Sequence, residues 1–243
     1  MKTTINDEKQ QSAEALRRHL QMAKLLRQQI NADTESARDR LSLREWQAAR
    51  LVKSYTDLLA SERYGKAARF FFSDLYGPKD FSSRDEEVER ILPMLVAMLP
   101  ASALRTIALA VELDALTEFL DLAMVAELRA AGRIGSIDEN AYAAAYRAVG
   151  HRSERERQIL LMRDAGEVLK QLAQRSLLTT ALKLMRRPAH LAGLGELHEF
   201  LEKGFDAFRQ MGDATEFLDC IENKEQKLLI KLFDSAKNPF ANG

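Results

Sequence analysis

Cysteine is nearly absent from this sequence, with Cys220 alone among 243 residues. One thiol excludes an intramolecular disulfide, and no Cys and His set has zinc-site spacing, so a reducing, cytoplasmic setting is the expectation. An excess of charge of either sign is also missing, 36 Lys+Arg against 36 Asp+Glu. That balance argues against nucleic acid as a partner, because coating phosphates needs a net basic surface, although a local basic patch stays open. Long apolar runs are lacking. The longest, Ile91 to Ala101, carries two prolines and is too short to cross a bilayer of roughly 30 Å at about 1.5 Å per residue. The stretch from Met1 to Ile30 is polar where a secretory signal would be apolar. No membrane span is expected. Only 11 glycines and 5 prolines are present, and no Gly/Ser/Pro-rich linker divides the chain.

What fills the sequence instead is Ala, Leu, Glu, Arg, Lys, Gln and Met, without period-2 runs of β-branched residues. These are helix formers, and they predict an all-α fold. Five capping boxes suggest helix starts: Ser42 with Glu45, Ser83 with Glu86, Ser136 with Glu139, Ser153 with Glu156, and Asp213 with Glu216. Stops fall at Gly77, Gly132, Gly150, Gly193 and Gly212. The marks predict a single compact bundle of about nine or ten helices with short connections, near residues 8–30, 42–62, 63–76, 84–99, 101–131, 138–149, 153–174, 176–186, 194–211 and 213–235. Residues 1–60 read as an N-terminal helical hairpin docked on a helical core, 61–243.

Charge is unevenly spread along the chain. Residues 151–190 hold 9 basic and 4 acidic groups, and residues 191–243 hold 6 and 10. Opposite-sign helices ordinarily pack side by side as solvated faces. A nucleic-acid surface would need Arg152, Arg155, Arg157, Arg163, Arg186 and Arg187 on one face.

The segment Leu104 to Leu128 is apolar around almost its whole circumference, as a helix buried on most sides would be. Its few acids therefore matter. Asp114, Glu118 and Asp121, at i, i+4 and i+7, form one stripe, which ordinarily means a solvent edge or a row of salt bridges. Glu112 lies on another face beside Ala108, Ala115, Leu116 and Phe119, and reads as the carboxylate in the most apolar surroundings. It would serve as a metal ligand or general base, or form an ion pair with an arginine from a neighbouring helix, or reach solvent.

Familiar catalytic templates are missing. A di-metal carboxylate bundle needs Glu-x-x-His twice, and this sequence has none. His198 shares a helix face with Glu202 only. No Gly-x-Ser-x-Gly elbow or phosphate-cradling glycine loop is present. No cofactor and no metal are expected.

The densest unusual stretch runs from Arg69 to Arg90. Phe70, Phe71 and Phe72 cannot all face one side of a helix and must touch at least two partners. Gly77 and Pro78 stop that helix, and Ser82 or Ser83 opens the next. Tyr76, Arg84 and Asp85 are candidates to line a small polar pocket at this corner. Residues Phe70-Phe71-Phe72-Ser73-Asp74-Leu75-Tyr76 resemble the Phe-Phe-Leu-Glu-Glu-Leu-Tyr motif that names a family of uncharacterised bacterial proteins. The match departs at Phe72, Ser73 and Asp74, so the motif's two glutamates are not both kept as acids. The resemblance implies a family without an assigned activity.

Two functions stay open. The first is a non-catalytic helical interaction or oligomerisation protein, partnering itself as a homodimer or another protein, with Leu16, Leu20, Ala23 and Ile30 as a narrow coiled-coil-like stripe. The second is a helical-bundle enzyme or a small-molecule or metal-binding protein with a pocket near Glu112, using Arg84, Tyr76 and His198.

Overall fold

The computed structural model describes residues 2–75, 82–98, 101–236 and 238–240. The fold is all-α. In chain order the helices are α1 (Lys2–Asn31), α2 (Thr34–Ser54), α3 (Thr56–Ala60), α4 (Gly65–Phe70), a π-helical turn (Phe71–Leu75), α5 (Ser82–Met98), α6 (Ala101–Ala130), α7 (Glu139–Val149), α8 (Arg152–Ala173), α9 (Ser176–Leu191), α10 (Gly195–Met211) and α11 (Thr215–Phe233).

Local chemistry explains most boundaries. Gly132, Gly150, Gly193 and Gly212 all have positive φ, between 65° and 77°, a region that glycine enters without a Cβ clash and that ends helices here. Gly77 lies outside the described residues. The starts differ more from expectation. α2 begins eight residues before Ser42, because the Asp33 side chain accepts from the backbone N–H groups of Glu35 and Ser36 at 3.2 and 3.0 Å. Ser42 is inside that helix and its hydroxyl donates to the Arg38 carbonyl. α7 is capped by Asp138, which accepts from the Ala141 N–H at 2.7 Å, and not by Ser136. Before α11, Asp213 accepts from the Thr215 N–H at 3.0 Å. α9 runs past the expected end at residue 186 with Pro188 inside it. The helix survives the proline at an exposed position, where the carbonyl that loses its N–H partner can meet water.

α6 organises the molecule. It contributes Ala108 and Val111 to a cluster with Leu16, Leu20, Val88 and Leu92, and Leu113 to the largest cluster, which holds Tyr55, Phe70–Phe72, Phe205, Phe208 and Phe217. Met124, Val125 and Leu128 join Leu43, Tyr142, Tyr146 and Leu232 in a third. α1 lies along α6 with residue numbers rising together, His19 near Glu112 and Arg27 near Glu118. α2 returns in the opposite sense, with Arg44 at Asp121 and Asp39 at Arg129. The stripe Leu16, Leu20, Ala23 and Ile30 is at most 5% exposed. Its apolar surface is therefore covered within the chain.

The three consecutive phenylalanines are all buried and face different partners. Phe70 packs on Phe200, Phe71 on Phe208 and Phe217, and Phe72 stacks on Tyr55 with ring centroids 4.8 Å apart. The wider π-helical turn starts at Phe71. Gly204 admits the Phe70 ring, whose Cζ would lie 2.7 Å from a Cβ at that position.

Candidate functional site

The acids of α6 meet the hairpin's arginines in a buried ion cluster. Glu118, fully buried, accepts from Arg27 Nε at 3.1 Å and from Arg40 Nε at 2.9 Å, and Arg44 Nη2 lies 3.0 Å from it. Arg44 Nε donates to Asp121 at 2.9 Å, Gln47 donates to the same carboxylate at 3.1 Å, and Arg27 also reaches Asp114. Three guanidiniums thus meet three carboxylates. Burial pushes the Glu118 pKa up, but Arg44, Arg40 and Arg27 outweigh it and hold the carboxyl below its ordinary value. Such an ionised group, surrounded by donors from two helices, fixes where the hairpin sits on α6.

Glu112, expected to be the most apolar acid, is the more solvated one. Its side chain is 24% exposed, and both oxygens accept from Arg157, at 2.9 Å to Nε and 2.9 Å to Nη2. It lies at the junction of α1, α6 and α8, where His19 Nε2 is 3.9 Å away. Glu118 is deeper because its face meets the docked hairpin. The residues of α6 alone carry no sign of that partner, which arrives from α1 and α2. Burial lowers the His19 pKa, opposed by the charge of Glu112.

Of the other candidates, His198 alone has a side chain among the described residues. His198 is 5% exposed, on α10, with Nε2 2.8 Å from the Leu182 carbonyl, so Nε2 carries the proton. Its Nδ1 is buried and meets no hydrogen-bond partner among the described residues. Glu202 pairs with Arg186 from α9. Arg84 and Asp85 lie in the first turn of α5, with side chains outside those described, and Tyr76 lies outside the described residues altogether. Among the described residues no group of three or more His, Cys, Asp or Glu is placed to hold a metal.

A cleft of about 430 Å³ opens between α4, the π-helical turn and α10, with Arg186 at its edge. Phe70 and Ala207 line it together with Lys66, Arg69, Asp74 and Lys203. Side chains of both signs line it, and Lys203 already faces Asp74 at 3.6 Å. Glu112 is not part of its lining.

The basic stretch of α8 and α9 is dispersed by pairing. Arg152 meets Glu156, Arg157 meets Glu112, Arg163 meets Asp219 and Glu222, and Arg186 meets Glu202. Arg155 is buried, its guanidinium 3.6 Å from the Tyr146 ring centroid. Lys183 and Arg187 are different: both are exposed and make no ion pair among the described residues. They flank the most exposed large apolar side chains described, Leu184 at 74% and Leu191 at 90%, with Met185 at 53%. The opposite side of α9, through Leu182 and Ala189, packs inward.

Sequence reading singled out Glu118 and Asp121 as a stripe but missed Arg27, Arg40 and Arg44. The available signal was Arg40 and Arg44 one turn apart, matching acids one turn apart on an otherwise apolar helix.

No helix among the described residues is long and apolar enough to cross a membrane. The chain matches no curated protein and no solved structure. A family profile described as a domain of unknown function, DUF8198, matches residues 26–239, from the end of α1 to beyond α11. With nearly the whole chain covered, the protein belongs to that uncharacterised family.

Proposed function

We propose that this chain is a non-catalytic helical interaction protein whose contact face is the outward stripe of α9. The observation that carries the reading is the pair Leu184 and Leu191, two helical turns apart and 74% and 90% exposed. Scattered single apolar side chains are ordinary on a protein surface, whereas an aligned, solvent-facing stripe on a helix whose other side is packed suggests a partner. The Leu16 to Ile30 stripe that first suggested self-association is buried within the chain, Leu16 and Leu20 against α5 and α6, so the reading rests on α9. The single cysteine fits a reducing, cytoplasmic setting. The motif resemblance at Phe70 to Tyr76 supports no activity.

Site-specific photo-cross-linking tests the reading. A photoreactive residue in place of Leu184 is expected to give discrete adducts in cells, while the same residue in place of exposed Asn223 on α11 gives none. Equal labelling at both positions, or none at 184, would overturn it. The 430 Å³ cleft beside the π-helical turn favours a small-molecule binding role as a second reading. Native mass spectrometry of the purified chain is the direct check, and a stoichiometric co-purifying compound would favour that reading instead.

A further inference from the structure

We infer that the outward face of α9 docks on an anionic phospholipid surface, lying along the headgroup plane. The inference rests on the proposed contact role of α9 and names its partner.

Three observations carry it. First, the arrangement of residues is that of an interfacial helix. At 100° per residue, Leu184, Pro188 and Leu191 fall within one narrow sector, with Met185 at one border and Arg187 and Lys183 at the other. Apolar side chains in the centre and long cationic ones at the edge allow the leucines to enter the acyl boundary while the charges stay among the phosphates. Second, the charge is available. Other basic side chains of α8 and α9 are held by Glu156, Glu112, Asp219, Glu222 and Glu202, whereas Lys183 and Arg187 make no ion pair among the described residues. Third, the shape is a ridge. α9 is held on one side by α10 through Leu182, Ala189 and Arg186, while residues 183–188 and 190–191 stand exposed, so its outer side is open to a broad surface. A flat, negatively charged surface complements a basic apolar crest. A chain of zero net charge gains no general attraction to such a surface, so attraction has to come from a local basic face of this kind.

The full chain, floated with vesicles of phosphatidylcholine alone or of phosphatidylcholine and phosphatidylglycerol in a three-to-one ratio, provides the test. Binding is expected on the anionic vesicles and at least ten-fold less on the neutral ones, and it should weaken as salt rises. Lys183→Glu with Arg187→Glu should reduce partition by about twenty-fold or more, since each basic group near such a surface contributes about five-fold. Leu184→Ser with Leu191→Ser should reduce it comparably. Because all four side chains are exposed, these variants keep the helical circular dichroism of the parent. A control pair on α11, Lys227→Glu with Ile230→Ser, should bind as the parent does.

No binding to either vesicle, equal binding to both, or equal loss in the α11 control would overturn the inference. So would tighter binding to soluble poly-glutamate than to vesicles, which would make the partner an acidic polypeptide. Protein adducts at position 184 without vesicle binding would remove the lipid and leave the contact role of α9 standing. No adducts at 184 would remove the contact role itself.

Discussion

Arg27 of α1 and Glu118 of α6 are joined by a 3.1 Å hydrogen bond between side chains 4% and 0% exposed, 91 residues apart in sequence. Two charges withdrawn from water that far are costly unless each is fully compensated. Here Arg40 and Arg44 on one side and Asp114 and Asp121 on the other complete the compensation.

Removing the central anion should therefore be severe. Glu118→Gln leaves three buried guanidiniums facing two carboxylates, and a loss of about 3–5 kcal/mol is expected. Glu112→Gln, by contrast, breaks a half-exposed pair with Arg157 and should cost under about 1 kcal/mol. Urea unfolding of the two variants decides the order. Equal losses would mean that Glu118 is not the more deeply embedded acid.

Acid should loosen the hairpin in two steps. The folded His19 pKa is below its ordinary 6.5, so its contribution to stability is complete above 6.5 and falls as pH drops through that value, where only the unfolded chain gains the proton. The folded Glu118 pKa is below its ordinary 4.5, so that contribution is present above 4.5 and lost as pH falls further. Thermal melts from pH 8 to 3 should show both declines, and His19→Gln should abolish the first. A decline near pH 6 that persists in that variant would assign it elsewhere.

The close approach of α4 and α10 makes Gly204 intolerant. Gly204→Ala puts a methyl 2.7 Å from the rigid Phe70 ring, an overpacking cost of about 1–3 kcal/mol that helix propensity offsets by up to about 1 kcal/mol. Gly135→Ala meets nothing within 4 Å and should be neutral. Differential scanning calorimetry distinguishes them, and a neutral Gly204→Ala would show that the ring can move aside.

Cys220 should be a slow thiol. Burial raises its pKa, only partly countered by Lys224, so less thiolate forms at pH 8 than in a free cysteine. Alkylation should proceed several-fold more slowly in the folded chain than in urea. Equal rates would contradict its packing against the main core.

Much of the fold was legible because helices leave strong marks. The four glycines at 132, 150, 193 and 212 follow helix ends with positive φ, which glycine adopts freely. The caps were harder, because a serine and a glutamate three apart recur inside helices too. Ser42 and Glu45 satisfy that spacing, yet Asp33 opens the helix they belong to. Fewer features of the polar sites could be read. That Glu118 is buried and Glu112 half-solvated depends on which face of α6 receives the hairpin, and that is a matter of tertiary docking. The three phenylalanines announced several partners, but not that a π-helical turn would begin among them.

The ion cluster also sets an order of events during synthesis. Arg27, Arg40 and Arg44 leave the ribosome more than seventy residues before the acids that neutralise them. Until Asp121 has emerged, the nascent hairpin carries three cations with no anions of α6 to receive them, and α1 and α2 have no helix to close against. The first quarter of this chain therefore waits on the second before it can reach its native position.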